Sequence, residues 1–120
     1  MSATPTKASA DTECYVHTAG PNSNYILNCT YEFGLGVMHL KDNAYTHGTY
    51  DAALPGEGAA TDTYFGWQNA AGWYNGPGYC TSQARSDDGG RTWRWQEPDL
   101  GPGQHFIGGA TDYQVFSYKC

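Results

Sequence analysis

Four cysteines constrain the fold of this 120-residue chain more than any other feature. They are Cys14, Cys29, Cys80 and Cys120, and none belongs to a C-x-x-C pair of the kind that binds zinc. An even number of cysteines in a short, glycine-rich chain is typical of disulfide bonds formed in an oxidising compartment. Of the possible pairings, we expect Cys14–Cys29, which closes a hairpin-sized loop, and Cys80–Cys120, which fixes the last residue of the chain.

The composition favours an all-β fold. The chain has 16 glycines and ten tyrosines, and charged residues make up only 15% of it. Aromatic and β-branched residues separated by glycine-rich turns are typical of short strands. We therefore predict a small antiparallel sandwich or barrel of about eight or nine strands, stabilised by the disulfides. A chain of this length has room for one domain, which we place at 14–120. The polar residues 1–13 are predicted to form a flexible leader that remains after a signal peptide has been removed.

Residues 25–33 show the clearest strand pattern. Tyr25, Leu27, Cys29, Tyr31 and Phe33 alternate with residues that face the other way. Residues 51–62 are small and polar, and they are predicted to form a surface loop with one helical turn at 51–54. The remaining predicted strands are 14–18, 37–40, 46–50, 63–67, 71–74, 79–84, 92–96, 104–107 and 113–118.

The charge balance argues against several classes of partner. Twelve acidic residues outnumber six basic ones, which gives a net charge of -6. Duplex nucleic acid and anionic membranes are bound mainly through basic side chains, so neither is expected as a partner. No apolar stretch reaches the roughly 18 residues that span a bilayer, and we expect no membrane insertion. His39 and His47 lack the spacing of metal ligands, and neither a metal site nor a cofactor is predicted.

One short motif resembles a known family. Ser86, Asp88, Gly90, Thr92 and Trp93 match the pattern S-x-D-x-G-x-T-W of the Asp-box in sialidase-type propeller repeats. The resemblance implies a hairpin turn in which the Asp88 carboxylate accepts backbone N–H groups and Trp93 covers the turn. Gly90 can adopt a positive φ in such a turn. Asp-boxes lie away from active sites in most folds, so this resemblance implies a structural role.

An aromatic-rich segment is the best candidate for a binding site. Residues 64–79 contain six aromatic side chains within 16 residues. Trp67, Trp73, Tyr74 and Tyr79 are the predicted binding residues, because such rings give large, stiff contact areas. The alternative is that most of these rings fill the core of a domain that has few leucines.

These observations favour a secreted, non-catalytic recognition module. Its predicted partner is another extracellular protein, which the leader could bind by adding to a sheet edge. The first alternative is lectin-like glycan binding through the aromatic segment. The second alternative is a small secreted ribonuclease with Glu32 as base, His105 as acid and Arg85 on the phosphate. Residues 110–116 resemble the last strand of bacterial guanyl ribonucleases, but Asp112 stands where that family has its catalytic histidine.

Overall fold

Two β-sheets pack face to face in this protein. The computed structural model describes Cys14 and residues 17–30, 33–39 and 49–120. Within these residues it has nine strands and one short helix: β1 Ile26–Asn28, β2 Leu35–His39, β3 Ala52–Leu54, β4 Ala59–Ala60, α1 Thr61–Tyr64, β5 Ala70–Asn75, β6 Tyr79–Ser86, β7 Arg94–Leu100, β8 Gly103–Phe106 and β9 Asp112–Lys119. The prediction of a small, disulfide-stabilised all-β fold is confirmed.

The sheets differ in size and order. The first sheet has the order β4-β1-β9-β6-β7, and the second sheet has the order β3-β2-β5-β8. Neighbouring strands are antiparallel, except that β1 runs parallel to β9. Parallel neighbours need a long connection, and here residues 29–111 lie between the two strands. The first and the last strand of the described chain, β1 and β9, therefore lie side by side in the first sheet.

The middle strands of the first sheet are buried on both faces. Ile26 and Val115 belong to a core between the sheets, together with Val37 and Trp73 of the second sheet. Leu27 follows Ile26 directly, points to the opposite face, and belongs to a separate core. Members of that second core and the residues packed on it include Tyr25, Cys29, Ala60, Trp93, Trp95 and Phe116. Strands that are covered on both sides have buried residues at successive positions, and here these include polar side chains such as Asn28 and Gln114.

Both predicted disulfides are confirmed. Cys14 bonds Cys29 with a Cα–Cα distance of 5.4 Å, and Cys80 bonds Cys120 with a distance of 5.8 Å. These bridges close sequence separations of 15 and 40 residues. The longer bridge ties the end of β9 to the start of β6, so it holds the last strand against its neighbour.

Several predicted element boundaries are wrong. The predicted loop at 51–62 contains β3 and β4, and residues 52–54 form a strand rather than a helical turn because they pair with β2. The helix lies at Thr61–Tyr64, which overlaps the predicted strand 63–67. The pattern over 25–33 yields only Ile26–Asn28 as a strand.

The remaining predictions concern segments that the structure describes only in part, or a connection that is shorter than expected. His17 and Thr18, in the predicted strand 14–18, belong to no strand. The connection between the predicted strands 92–96 and 104–107 is shorter than expected, because β7 continues to Leu100 and β8 begins at Gly103. The predicted leader 1–13 and most of the predicted strand 46–50 lie outside the described residues. In the described part of the chain, no helix has the length and apolar character to cross a membrane.

Candidate ligand-binding site

A cleft of about 390 Å³ opens at one end of the sandwich, and both sheets contribute to its walls. Four aromatic rings surround it, those of Phe33, Tyr50, Tyr74 and Tyr79. We call it the aromatic cleft. Its volume lies in the range of about 300–1,000 Å³ that is usual for small-molecule sites.

A row of small residues forms one wall of the aromatic cleft. Gly36 pairs with Ala53 on one side and with Tyr74 on the other, so the three residues share one face of the second sheet. The ring of Tyr50 lies directly over Gly36, where an added Cβ would stand only 2.7 Å from it. Tyr50 also stacks on Tyr74 at a centroid distance of 5.9 Å and an angle of 26°. Glycine at 36 is therefore what lets Tyr50 approach the sheet.

The backbone on both sides of Tyr50 is held against the second sheet. The Asp51 N–H donates to the Val37 carbonyl at 2.9 Å. The Gln104 side chain donates to the Thr49 carbonyl at 3.1 Å. These two bonds position the Tyr50 ring, which is 45% exposed and open to a ligand.

The opposite wall is built around Tyr79 at the start of β6. Its ring meets Phe33 edge-on, at a centroid distance of 5.4 Å and an angle of 70°. A turn places it, since the Tyr79 N–H donates to the Gly76 carbonyl at 3.0 Å. The neighbouring residue is Cys80, whose disulfide fixes this end of the strand.

The four predicted binding residues separate into three environments. Tyr74 and Tyr79 line the aromatic cleft. Trp73 is only 1% exposed, and its indole N–H donates to Thr81 at 3.2 Å, so its ring belongs to the core. Trp67 is half-buried in a stack with His39, at 4.4 Å and 5°, away from the cleft.

Sequence reasoning missed Phe33 and Tyr50. Both were placed in predicted strands, and nothing in the sequence brings them to Tyr74. The one available signal was Gly36, because a glycine inside a strand often marks a close approach of another group.

A second cavity, the side pocket, holds about 150 Å³ on the side of the sandwich where β7 and β8 form the sheet edges. Trp73, Gln83, His105, Ile107 and Tyr113 are among its lining residues. The His105 ring donates through Nε2 to the Gly101 carbonyl at 2.6 Å. This bond fixes the orientation of the imidazole.

The predicted ribonuclease set is not assembled among the described residues. Glu32 lies outside them. Arg85 pairs with Asp87 at 2.8 Å, and this bond raises the pKa of the Arg85 guanidinium. His105 lies on another sheet, with the bond to Gly101 as its hydrogen bond. No group of three or more metal-ligating side chains occurs in the described ranges either.

The turn at 86–93 has the hydrogen bonds that its sequence predicts. The Asp88 carboxylate accepts from the Thr92 hydroxyl at 2.6 Å, from the Thr92 N–H at 2.9 Å and from the Arg91 N–H at 3.1 Å. These donors, with Thr92 foremost, hold the pKa of Asp88 well below its usual range. Gly90 has a φ of 91°, and the Trp93 indole donates to its carbonyl at 3.0 Å. The relation to sialidase-type Asp-boxes stays a resemblance.

This turn also anchors the chain that precedes β1. The Ala19 N–H donates to the Gly89 carbonyl at 2.8 Å. The buried Tyr25 hydroxyl donates to the His17 carbonyl, and Gly90 packs directly against both groups. The turn therefore has a structural role in the described part of the chain.

Two carboxylates, those of Asp62 and Asp112, bind the segment 17–25. His17 Nε2 contacts the two Asp62 oxygens at 2.9 and 2.8 Å. Asp112 accepts from the Tyr25 N–H at 2.9 Å and from the Ser23 hydroxyl at 2.7 Å. Burial, and to a smaller extent the charge of Asp62, raise the pKa of Asp112. These contacts hold residues 17–25 in place, so we assign them a structural role.

Comparisons with known proteins return no relatives. No family model matches the chain, no curated protein matches it, and no solved structure matches its fold.

Proposed function

We propose that this protein is a secreted, non-catalytic recognition module that binds an uncharged glycan in the aromatic cleft. The observation that supports this most is the arrangement of Phe33, Tyr50, Tyr74 and Tyr79 around a cavity of about 390 Å³. The two disulfides fit the oxidising compartment that a secreted protein passes through.

Sugar rings fit such walls for a physical reason. The faces of many pyranoses carry C–H groups and pack on aromatic rings, while their hydroxyls need polar partners at the edges. Tyrosine supplies both an apolar ring and a hydroxyl that donates and accepts. Tyr50, Tyr74 and Tyr79 therefore offer stacking surfaces and hydrogen bonds within one cavity.

The charge of the cleft indicates which glycans it takes. Its described lining residues include no Asp, Glu, Lys, Arg or His. The chain as a whole has a net charge of -6, which disfavours acidic sugars at long range. A neutral glycan is the ligand class that meets both conditions.

A glycan array followed by calorimetric titration of the best-bound neutral glycan tests this proposal. Tyr74→Ala and Tyr79→Ala are each expected to weaken binding at least about tenfold, since each removes one wall of the cleft. Tyr64→Ala is the matched control, because Tyr64 is 58% exposed but lies outside the cleft. Silence across the array, or equal losses in all three variants, would contradict the proposal.

A protein partner is the second candidate. The exposed Tyr64 ring meets Phe65 at 4.9 Å, and Phe65 stacks on Trp67 at 4.7 Å, which gives an aromatic surface of the kind that anchors interfaces. Pull-downs from culture supernatant with wild type and Tyr64→Ala test it. Identical recovery by both proteins would reject this surface as the interface.

The non-catalytic part of the proposal has its own test. An RNA degradation assay compares wild type with His105→Ala. We expect no activity from either protein, and activity that is lost in His105→Ala would contradict the proposal.

A further inference from the structure

The outer face of the second sheet carries a row of solvent-accessible residues that begins at the aromatic cleft. Trp73 packs in the core between the sheets, so Tyr74, the next residue in β5, lies on the opposite, outer face. Strand pairing places Gly36 on one side of Tyr74 and Gln104 on the other. Gln104 is exposed, and Gly36 and Tyr74 are half-buried. A ligand can therefore reach this part of the sheet from solvent.

Phe106 adds a further aromatic ring to the same face. It follows Gln104 by two positions in β8, a strand in which half-buried and exposed residues alternate. Phe106 is 51% exposed. Because Tyr74 pairs with Gln104, Phe106 is the diagonal neighbour of Tyr74, at a distance of about 7–8 Å. Since β8 is an edge strand, Phe106 also borders the side pocket.

The space over Gly76 joins this row to the opposite wall of the aromatic cleft. An added Cβ at Gly76 would lie 3.9 Å from ring atoms of both Tyr74 and Tyr79, so the missing side chain leaves a gap between the two rings. Phe106 lies opposite Gly72, further from the turn at 76–78 than Tyr74 is. Tyr79, Tyr74 and Phe106 thus follow one another from the end of the sandwich along its outer face.

The chemistry of this row indicates its ligand. The directly paired residues Ala53, Gly36, Tyr74 and Gln104 carry no charge, and neither does Phe106. Aromatic rings need an apolar partner face, while the tyrosine hydroxyls and the Gln104 amide offer hydrogen bonds at the edges. Sugars with equatorial linkages and hydroxyls have C–H groups on both ring faces and form flat, extended chains. Such a chain is neutral and can lie along the face of a sheet.

We propose that Phe106 holds one unit of an extended, neutral, β-linked oligosaccharide whose other units lie in the aromatic cleft. The inference rests on the proposed glycan function and names the substrate class of that site. The bound chain leaves the cleft past Tyr74 and stacks on Phe106. The protein therefore recognises a glycan chain rather than a single sugar unit.

Calorimetric titration of the oxidised protein with cello-oligosaccharides, from the disaccharide to the hexasaccharide, tests the inference. The affinity of wild type should rise with chain length until the chain reaches Phe106. Phe106→Ala should bind the disaccharide like wild type and lose about threefold to tenfold in affinity for the hexasaccharide, which is the range for one aromatic contact. A wild-type affinity that does not depend on chain length, or an equal loss in the variant at every length, would overturn the inference.

Tyr64→Ala is the matched control, because Tyr64 is an aromatic residue of similar exposure, 58%, that belongs neither to the row nor to the cleft. Its affinities should equal those of wild type at every length, and the same length-dependent loss in both variants would count against Phe106. Wild type also gives a readout that needs no variant. The NMR ring signals of Phe106 should shift with the hexasaccharide, and signals that stay unchanged would overturn the inference.

Malto-oligosaccharides test the shape of the chain. They contain the same glucose units, but their axial linkages curl the chain away from a flat surface. We expect their affinity not to rise with length. An equal rise in both series would contradict the requirement for an extended chain.

Tyr79→Ala separates this inference from the proposed function. If Tyr79→Ala weakens binding while Phe106→Ala binds every chain like wild type, the extension onto the outer face is rejected and glycan binding in the cleft stands. If no cello-oligosaccharide binds, the inference is overturned, and the glycan array still decides the proposed function.

Discussion

Replacing Gly90 with alanine should destabilise the protein severely. Gly90 has a φ of 91°, which costs an L-residue with a side chain about 1–2 kcal/mol. A Cβ at this position would also overlap the Tyr25 hydroxyl and the His17 carbonyl, which hydrogen-bond each other. Making room for the Cβ would disturb that hydrogen bond, and overpacking of this kind typically adds about 1–3 kcal/mol. The expected loss in the free energy of unfolding is therefore about 2–5 kcal/mol.

Two other glycines separate these contributions. Gly66 has a φ of 74°, but an added Cβ there meets nothing within 4 Å, so Gly66→Ala should cost only the backbone term of about 1–2 kcal/mol. Gly108 has an ordinary φ and equally open surroundings. Gly108→Ala should therefore change stability by no more than about 1 kcal/mol.

Urea unfolding of the three oxidised variants measures these differences, provided that the slopes with denaturant agree. The expected order of destabilisation is Gly90→Ala, then Gly66→Ala, then Gly108→Ala. The reasoning is refuted if Gly90→Ala loses no more stability than Gly66→Ala, because the packing of the turn against residues 17–25 would then contribute nothing.

Two further predictions concern pH and the disulfides. Burial raises the pKa of Asp112 above its model-peptide value of 3.8, so its contribution to stability is present below that value and is lost as the pH rises through the folded-state pKa. In Asp112→Asn the side-chain amide can donate to Ser23, so this variant should be at least as stable as wild type at neutral pH. Unfolding titrations should show that its free energy of unfolding falls less than that of wild type between acidic and neutral pH. A steeper fall in the variant would contradict this. Removing the Cys80–Cys120 bridge, which closes 40 residues, should lower stability by about 4 kcal/mol, against about 3 kcal/mol for the shorter bridge. Urea midpoints that reverse this order would argue against the loop-entropy explanation.

The fold class and the disulfides could be predicted because their signals are local or covalent. Alternating apolar residues, glycine-rich turns and an even number of cysteines each point to the same kind of structure. The Asp88 turn was predictable for the same reason, since its hydrogen bonds lie within the six residues 88–93.

The segment that contains β3 and β4 was missed for a physical reason. Residues 51–60 are mostly small, and they carry no period-two pattern. Ala52–Leu54 is a strand because it pairs with β2, where Leu54 lies opposite Leu35. Such pairing is a long-range contact that outweighs local preference, and it cannot be read from the segment itself.

The site could be predicted only in part. Trp73 and Tyr74 are adjacent in β5, and their side chains point to opposite faces of the second sheet. The sequence does not tell which face the first sheet covers, so the two residues could not be distinguished. Tyr50 was out of reach as well, because its position depends on the bonds that hold residues 49 and 51 across the sheet.

Nuclear Overhauser effects between a neutral glycan and the aromatic rings test the proposed binding site most directly. With the neutral glycan that binds best on the array, sugar C–H protons should show intermolecular contacts to the rings of Tyr50, Tyr74 and Tyr79. Contacts found only at Tyr64 or elsewhere on the surface, with none to these three rings, would show that the aromatic cleft is not where this protein binds sugars.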